Sequence, residues 1–164
     1  MGIFDPRKAF KPFEYPEALE FVDALQATYW THKEFNFTQD ISDFKVNLSP
    51  YEKEVVRRAL LAIGQIEVSV KTFWAKLYDH FPKPEFNALG VQLAFNELVH
   101  ERSYTELLDL LGLTEDFDKV LQIPEIQGRV DYLTKYIKGS SDNKKEAYTL
   151  NLALFSSFVE NVSL

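Results

Sequence analysis

The stretch Glu85–Leu111, EFNALGVQLAFNELVHERSYTELLDLL, decides how this chain folds. Phe86, Leu89 and Leu93 recur at helical spacing, Glu97, His100 and Tyr104 then take the same face, and Leu107, Leu108 and Leu111 close the stripe. Phe81-Pro82-Lys83-Pro84 breaks the chain before it, and Gly112 stops it, with Thr114 as a cap for the next segment. The spacing therefore predicts one long helix whose apolar face is interrupted by a carboxylate, an imidazole and a phenol. Burying an ionised carboxylate costs several kcal/mol unless it is neutralised, hydrogen-bonded or metal-bound, so the interruption points to chemistry.

The pattern continues outward in both directions. Ser49-Pro50-Tyr51-Glu52 is a strong helix start, with Ser49 as cap, Pro50 at the first position and Glu52 reaching back. A long helix is predicted from there to about His80, with the stripe Val56, Leu60, Ile63, Ile66, Val70, Phe73, Trp74 and Leu77. Glu67 lies on that stripe and faces the core. An earlier helix follows Pro16 and ends near Trp30, with Ala18, Phe21, Val22, Leu25 and Tyr29 as its apolar side. Residues 31–47 read as an ordered connection laid over the core. A shorter helix is predicted around Ile126–Ile137, then a loop at Gly139-Ser140-Ser141-Asp142-Asn143. A last helix runs from about Lys144, with Glu160 embedded among Tyr148, Leu152, Phe155, Phe158 and Val162. The fold class is all-α, a helical bundle, with residues 1–164 as a single domain.

Composition narrows the function. Eighteen basic against twenty-five acidic residues give a net charge of −7, which disfavours nucleic acid as a partner. No apolar run approaches a membrane span and no targeting pattern follows Met1, so a cytoplasmic protein with no membrane partner is expected. Cysteine is absent, so any metal must be held by carboxylate or histidine.

Glu97-x-x-His100 puts two ligand types one turn apart on one helix face. With Glu67 and Glu160 on other helices, it makes more than half of a carboxylate-bridged dimetal site in a four-helix bundle. Hard oxygen ligands with imidazole favour iron or manganese. Tyr104, one turn beyond His100, is either core packing or a side chain open to one-electron oxidation. Trp30 has the same two readings, core aromatic or electron relay, and Trp74 is assigned to the core.

Glu97-Leu98-Val99-His100-Glu101-Arg102-Ser103-Tyr104 resembles the E-x-x-H-x-R-S-Y segment of the small, radical-generating subunit of class I ribonucleotide reductase. The resemblance implies a ferritin-like bundle with a dinuclear iron or manganese cofactor. It implies Glu67 as first carboxylate ligand, Glu97 and His100 as the next two, and Glu160 in Phe158-Val159-Glu160 as the following glutamate. It further implies Tyr104 as radical-bearing tyrosine, and Trp30, in Tyr29-Trp30-Thr31-His32-Lys33-Glu34, as the start of the radical path to the large subunit. Phe37-Thr38-Gln39-Asp40 and Leu48-Ser49-Pro50 also resemble the family's sequence. Implied partners are the large subunit and a second copy in a dimer of small subunits.

Two departures stand out. Many family members have aspartate where this chain has Glu67, and no second Glu-x-x-His exists, because the histidines are His32, His80 and His100 alone. The expectation is an N-terminal fragment of a split small subunit, incomplete without a complementary C-terminal chain that carries the second Glu-x-x-His. The competing expectation is a homodimeric ferritin-like metal-binding or storage protein, which has no need of Arg102-Ser103-Tyr104.

Overall fold

The computed structural model describes residues 2–117, 119–139 and 145–157, and among them there is no strand. Along these residues run eight α-helices: α1 Glu17–Ala27, α2 Thr38–Ser42, α3 Pro50–Ala75, α4 Leu77–His80, α5 Pro84–Leu111, α6 Thr114–Phe117, α7 Pro124–Gly139 and α8 Lys145–Leu154. The predicted connection at 31–47 is ordered, as a 3₁₀ turn at His32–Glu34, then α2, then a π turn at Asp43–Asn47. No helix among the described residues is long and apolar enough to cross a membrane.

Helices α3 and α5 form the central pair, with α1 laid on α5 and α7 on α3. The start of α3 is built as its sequence dictates. Ser49 Oγ accepts from the Glu52 N–H at 3.3 Å, and Glu52 Oε2 accepts from the Ser49 N–H at 2.8 Å, so two otherwise unsatisfied donors are met reciprocally. At the far end α3 stops at Ala75 rather than running on to His80. The Lys76 N–H turns tightly back to the Phe73 carbonyl at 3.2 Å, and the chain restarts as α4. Helix α5 approaches this break closely. A Cβ built on Gly90 would meet the Trp74 carbonyl oxygen at 2.8 Å and Leu77 Cβ at 2.9 Å, so only glycine permits the contact. Helix α5 ends as predicted at Gly112, whose φ of 74° is the left-handed conformation that glycine adopts freely, while the Leu113 N–H bonds to the Leu108 carbonyl at 2.8 Å. Thr114 does not act as a simple cap: its hydroxyl donates to the Asp109 carboxylate.

Two apolar clusters occupy opposite ends of the α3–α5 pair. One gathers Ile66, Val70, Phe73, Trp74, Leu77 and Phe81 with Tyr148 and Phe155 from the last segment, Phe155 stacking on Phe73 at 3.9 Å. The other gathers Leu61, Leu108, Leu111, Leu113, Val120 and Ile126. The interrupted stretch of α5, Glu97 to Tyr104, falls between them.

Several side chains differ from the periodic reading. Leu61 rather than Leu60 is fully buried on α3. Helix α1 ends at Ala27 rather than near Trp30; on it only Ala18 and Val22 are buried and Phe21 is exposed, as is Tyr29 beyond its end, because α1 packs chiefly on one neighbour and a single contact line covers a narrower stripe. Leu150 and Leu154 on α8 are likewise exposed. The segment before α1 carries a buried ionic cluster that periodicity does not signal. The Arg7 guanidinium donates to Glu85, the Glu14 N–H donates to Glu85 Oε1 at 2.7 Å, and Lys83 Nζ donates to Glu14 Oε2 at 2.8 Å. Lys83 and Glu85 are essentially inaccessible to solvent.

Candidate metal centre

Glu67 comes from the middle of α3, and Glu97 and His100 come from one face of α5. The short link between Ala75 and Pro84 returns α5 antiparallel along α3, so residues whose numbers sum to about the same value meet. Glu67 therefore lies opposite Glu97, as Gly64 lies opposite Tyr104. One ligand atom from each of Glu67, Glu97 and His100 falls within 4.8 Å of the others. His100 Nδ1 is 3.0 Å from Glu97 Oε2 and 3.9 Å from Glu67 Oε1. Both carboxylates are buried, while the imidazole is 40% exposed and reaches the site from its edge.

Two hard oxygen donors and one imidazole nitrogen form a set able to hold iron or manganese. Glu160, the fourth ligand anticipated from the sequence, lies outside the described residues. Three ligand atoms are fewer than a metal pair requires, and a two-metal site of this type takes ligands from four helices.

Tyr104 lies one turn further along α5 and is half-buried. Burial pushes its phenol above the usual tyrosine range, and the Glu67 and Glu97 charges push in the same direction, so the hydroxyl keeps its proton. Trp30, beyond the end of α1, stacks on the His100 ring at 5.9 Å between centroids with the planes 23° apart. The structure thus brings Trp30 to His100 rather than burying it in either apolar cluster. Trp74 is core, as anticipated.

Periodicity did not single out two residues beside the site. Lys71 on α3 and Glu101 on α5 form an ion pair across the two helices. A signal for it existed, since Lys71 follows Glu67 by four and Glu101 follows Glu97 by four, but only the antiparallel pairing of α3 and α5 joins the two.

Comparison with known proteins extends the likeness from these residues to the whole chain. Residues 7–164 match the family profile described as ribonucleotide reductase, small chain. A ribonucleoside-diphosphate reductase small subunit of Invertebrate iridescent virus 3 is 26% identical over 96% of this chain and 46% of its own length. The counterpart in Invertebrate iridescent virus 6 is 27% identical over 100% of this chain and 49% of its own. The chain thus spans about half the length of these curated relatives. A crystal structure from Bacillus halodurans, assigned to the class I ribonucleotide reductases, superposes with a TM-score of 0.76 at 18% identity, covering 85% of this chain and 51% of that one, and shows the same helical, ferritin-like fold. A match over nearly every residue, on a bundle that carries Glu97-x-x-His100 opposite Glu67, places this chain in the ribonucleotide reductase small chain family.

Proposed function

We propose that this chain supplies one part of the carboxylate-bridged dinuclear iron or manganese centre of a class I ribonucleotide reductase small subunit. That centre generates the radical with which a large subunit reduces ribonucleotides to deoxyribonucleotides. The observation that carries the reading is the convergence of Glu67, Glu97 and His100 in a buried place between two apolar clusters. Glu67, Glu97 and His100 would hold the metals, His100 through Nδ1, and the family resemblance adds Glu160 to this chain's share. The remaining ligands, including a second histidine, come from the other half of the family's sequence. Residues 1–164 then act as one domain, in the cytoplasm, of a small subunit that forms a dimer.

When bound, the metal pair supplies a one-electron oxidant. Tyr104, one helical turn from His100, is the side chain of this face that would yield an electron to such an oxidant. Its raised pKa means that the phenol gives up its proton together with its electron, and its half-buried position limits quenching by water. Trp30, stacked on the outer side of His100, is placed to carry the electron between the site and the surface where a large subunit would dock.

Metal stoichiometry and electron paramagnetic resonance test this together. The chain alone is expected to hold manganese or iron weakly, because its carboxylates repel one another around one histidine. Mixed with the complementary half it is expected to hold a metal pair and, after oxygen or superoxide treatment, to show a tyrosyl signal that Tyr104→Phe abolishes. Two tightly held ions in a monomer of residues 1–164 alone would overturn the reading that further ligands lie outside these residues. A tyrosyl signal that survives Tyr104→Phe would place the radical elsewhere and leave Tyr104 as packing.

A further inference from the structure

Lys71 has a carboxylate within reach on its own helix. Glu67 precedes it by four residues on α3, and glutamate four residues before lysine is the favoured order for pairing on one helix face. The same helix pairs locally nearer its start, where Arg57 Nε lies 2.8 Å from Glu54 Oε2 and Arg58 Nε lies 2.6 Å from Glu54 Oε1. Lys71 behaves otherwise. Among the described residues, the carboxylate it meets is that of Glu101, across on α5. The antiparallel packing of the two helices makes the crossing possible. Helical side chains lean toward their own N-terminus. Lys71 follows Glu67 by one turn and Glu101 follows Glu97 by one turn, so the two side chains reach back toward the level of the site from opposite sides. The ammonium is thereby fastened at the edge of the site.

We propose that Glu101 is a positioning residue: it holds the Lys71 ammonium off the Glu67 and Glu97 carboxylates and so keeps the place between them and His100 open to a metal cation. The inference rests on the proposed reading of Glu67, Glu97 and His100 as metal ligands. An ammonium is a compact cation with three donors and no acceptor. Two buried carboxylates gathered around one imidazole attract it for the same reason that they attract iron or manganese. Seated between them, it would cancel the charge that draws the metal, and a metal would enter only by displacing it. Glu101 removes that competitor by offering an equal charge outside the ligand set.

The test compares the full 164-residue chain with Glu101→Gln, Lys71→Gln and the two together. Mn²⁺ alone is the probe, and paramagnetic broadening of the His100 ring protons is the readout. Glu101→Gln is expected to weaken Mn²⁺ by about fivefold or more and Lys71→Gln to change it by less than about twofold. The double variant should return to within about twofold of the parent, because without the ammonium there is nothing for Glu101 to hold. Weakening by Glu101→Gln that is as large without Lys71 as with it would overturn the proposal. So would Lys71→Gln that strengthens Mn²⁺ as much as Glu101→Gln weakens it, which reduces the pair to independent charges, and so would equal affinity in all four, which leaves the pair a structural tie. A second readout contains no metal. Glu67→Gln is expected to raise the thermal midpoint of the parent by relieving repulsion from Glu97, but to lower that of Glu101→Gln, where it removes the partner to which Lys71 turns. The same sign in both backgrounds would overturn the proposal. A parent that takes up no Mn²⁺ while the sign still inverts would sink the metal reading and leave the hold of Glu101 on Lys71 standing, so the two failures are distinguishable. The Lys71 and Glu101 side chains are 31% and 30% exposed and glutamine keeps the length of glutamate, so no result depends on a damaged fold.

Discussion

Helix α5 buries carboxylates at two places, and they are built in opposite ways. At its first turn Glu85 meets the Arg7 guanidinium and the backbone N–H groups of Glu14 and Tyr15, while Lys83 meets Glu14, so two carboxylates are balanced by two cations. Three turns on, Glu97 and Glu67 converge around one partly exposed imidazole. Buried charge of the first kind is fastened by what already surrounds it. Buried charge of the second kind is arranged around a place where more positive charge fits. The same residue type is therefore matched by cations at one end of a helix and left with one imidazole in its middle, and the partners tell the two apart.

Removing one carboxylate from each place is the most direct way to break this comparison. Glu85→Ala leaves Arg7 and Lys83 buried with Glu14 alone and is expected to cost about 3–5 kcal/mol in urea unfolding. The pH dependence should carry a matching signature. Burial pushes the Glu85 carboxyl upward, but the backbone N–H groups and Arg7 outweigh it and hold the carboxyl below its ordinary value of 4.5. A folded pKa below the unfolded one means that the stabilisation is present above pH 4.5 and is lost as pH falls through the folded value. The stability gap between parent and Glu85→Ala should thus narrow on acidification below that point. A gap that is constant with pH would show that Glu85 acts by packing alone.

The two glycines that face the opposing helix sharpen the contrast. Gly90→Ala drives a Cβ into the Trp74 carbonyl and Leu77, and overpacking against backbone is expected to cost about 1–3 kcal/mol. Gly64→Ala meets only ordinary contacts and should leave the thermal midpoint unchanged or raise it. Equal losses in both would contradict the assignment of close packing to one place and open space to the other.

A small gain in stability is expected at the second buried carboxylate. Glu97→Gln in the metal-free chain relieves repulsion between carboxylates and is expected to raise stability by about 1 kcal/mol, while weakening manganese binding in the assembled site. A loss of stability as large as that of Glu85→Ala would mean that Glu97, too, is a structural anchor.

What the chain determined by itself is local. The Ser49–Glu52 capping box, the glycine stop at Gly112 and the placing of Glu97, His100 and Tyr104 on one face of α5 all lie within a few residues of their causes. Hydrogen bonds and side chains one helical turn apart repeat whatever the surroundings. Membership of the family was legible for the same reason, since Glu97, His100, Arg102, Ser103 and Tyr104 share one short segment. Only the tertiary structure decided the rest. Leu61 replaced Leu60 as the buried residue, α3 broke at Lys76, and Phe21 and Tyr29 stayed exposed, because the contact line along a helix follows its neighbour's surface as well as its own period. Arg7 found Glu85 across 78 residues, Glu67 met Glu97 across the α3–α5 turn, and Trp30 came to rest on His100. No period in the sequence encodes such meetings, which depend on how closely two helices approach, and at Gly90 a single missing Cβ sets that distance.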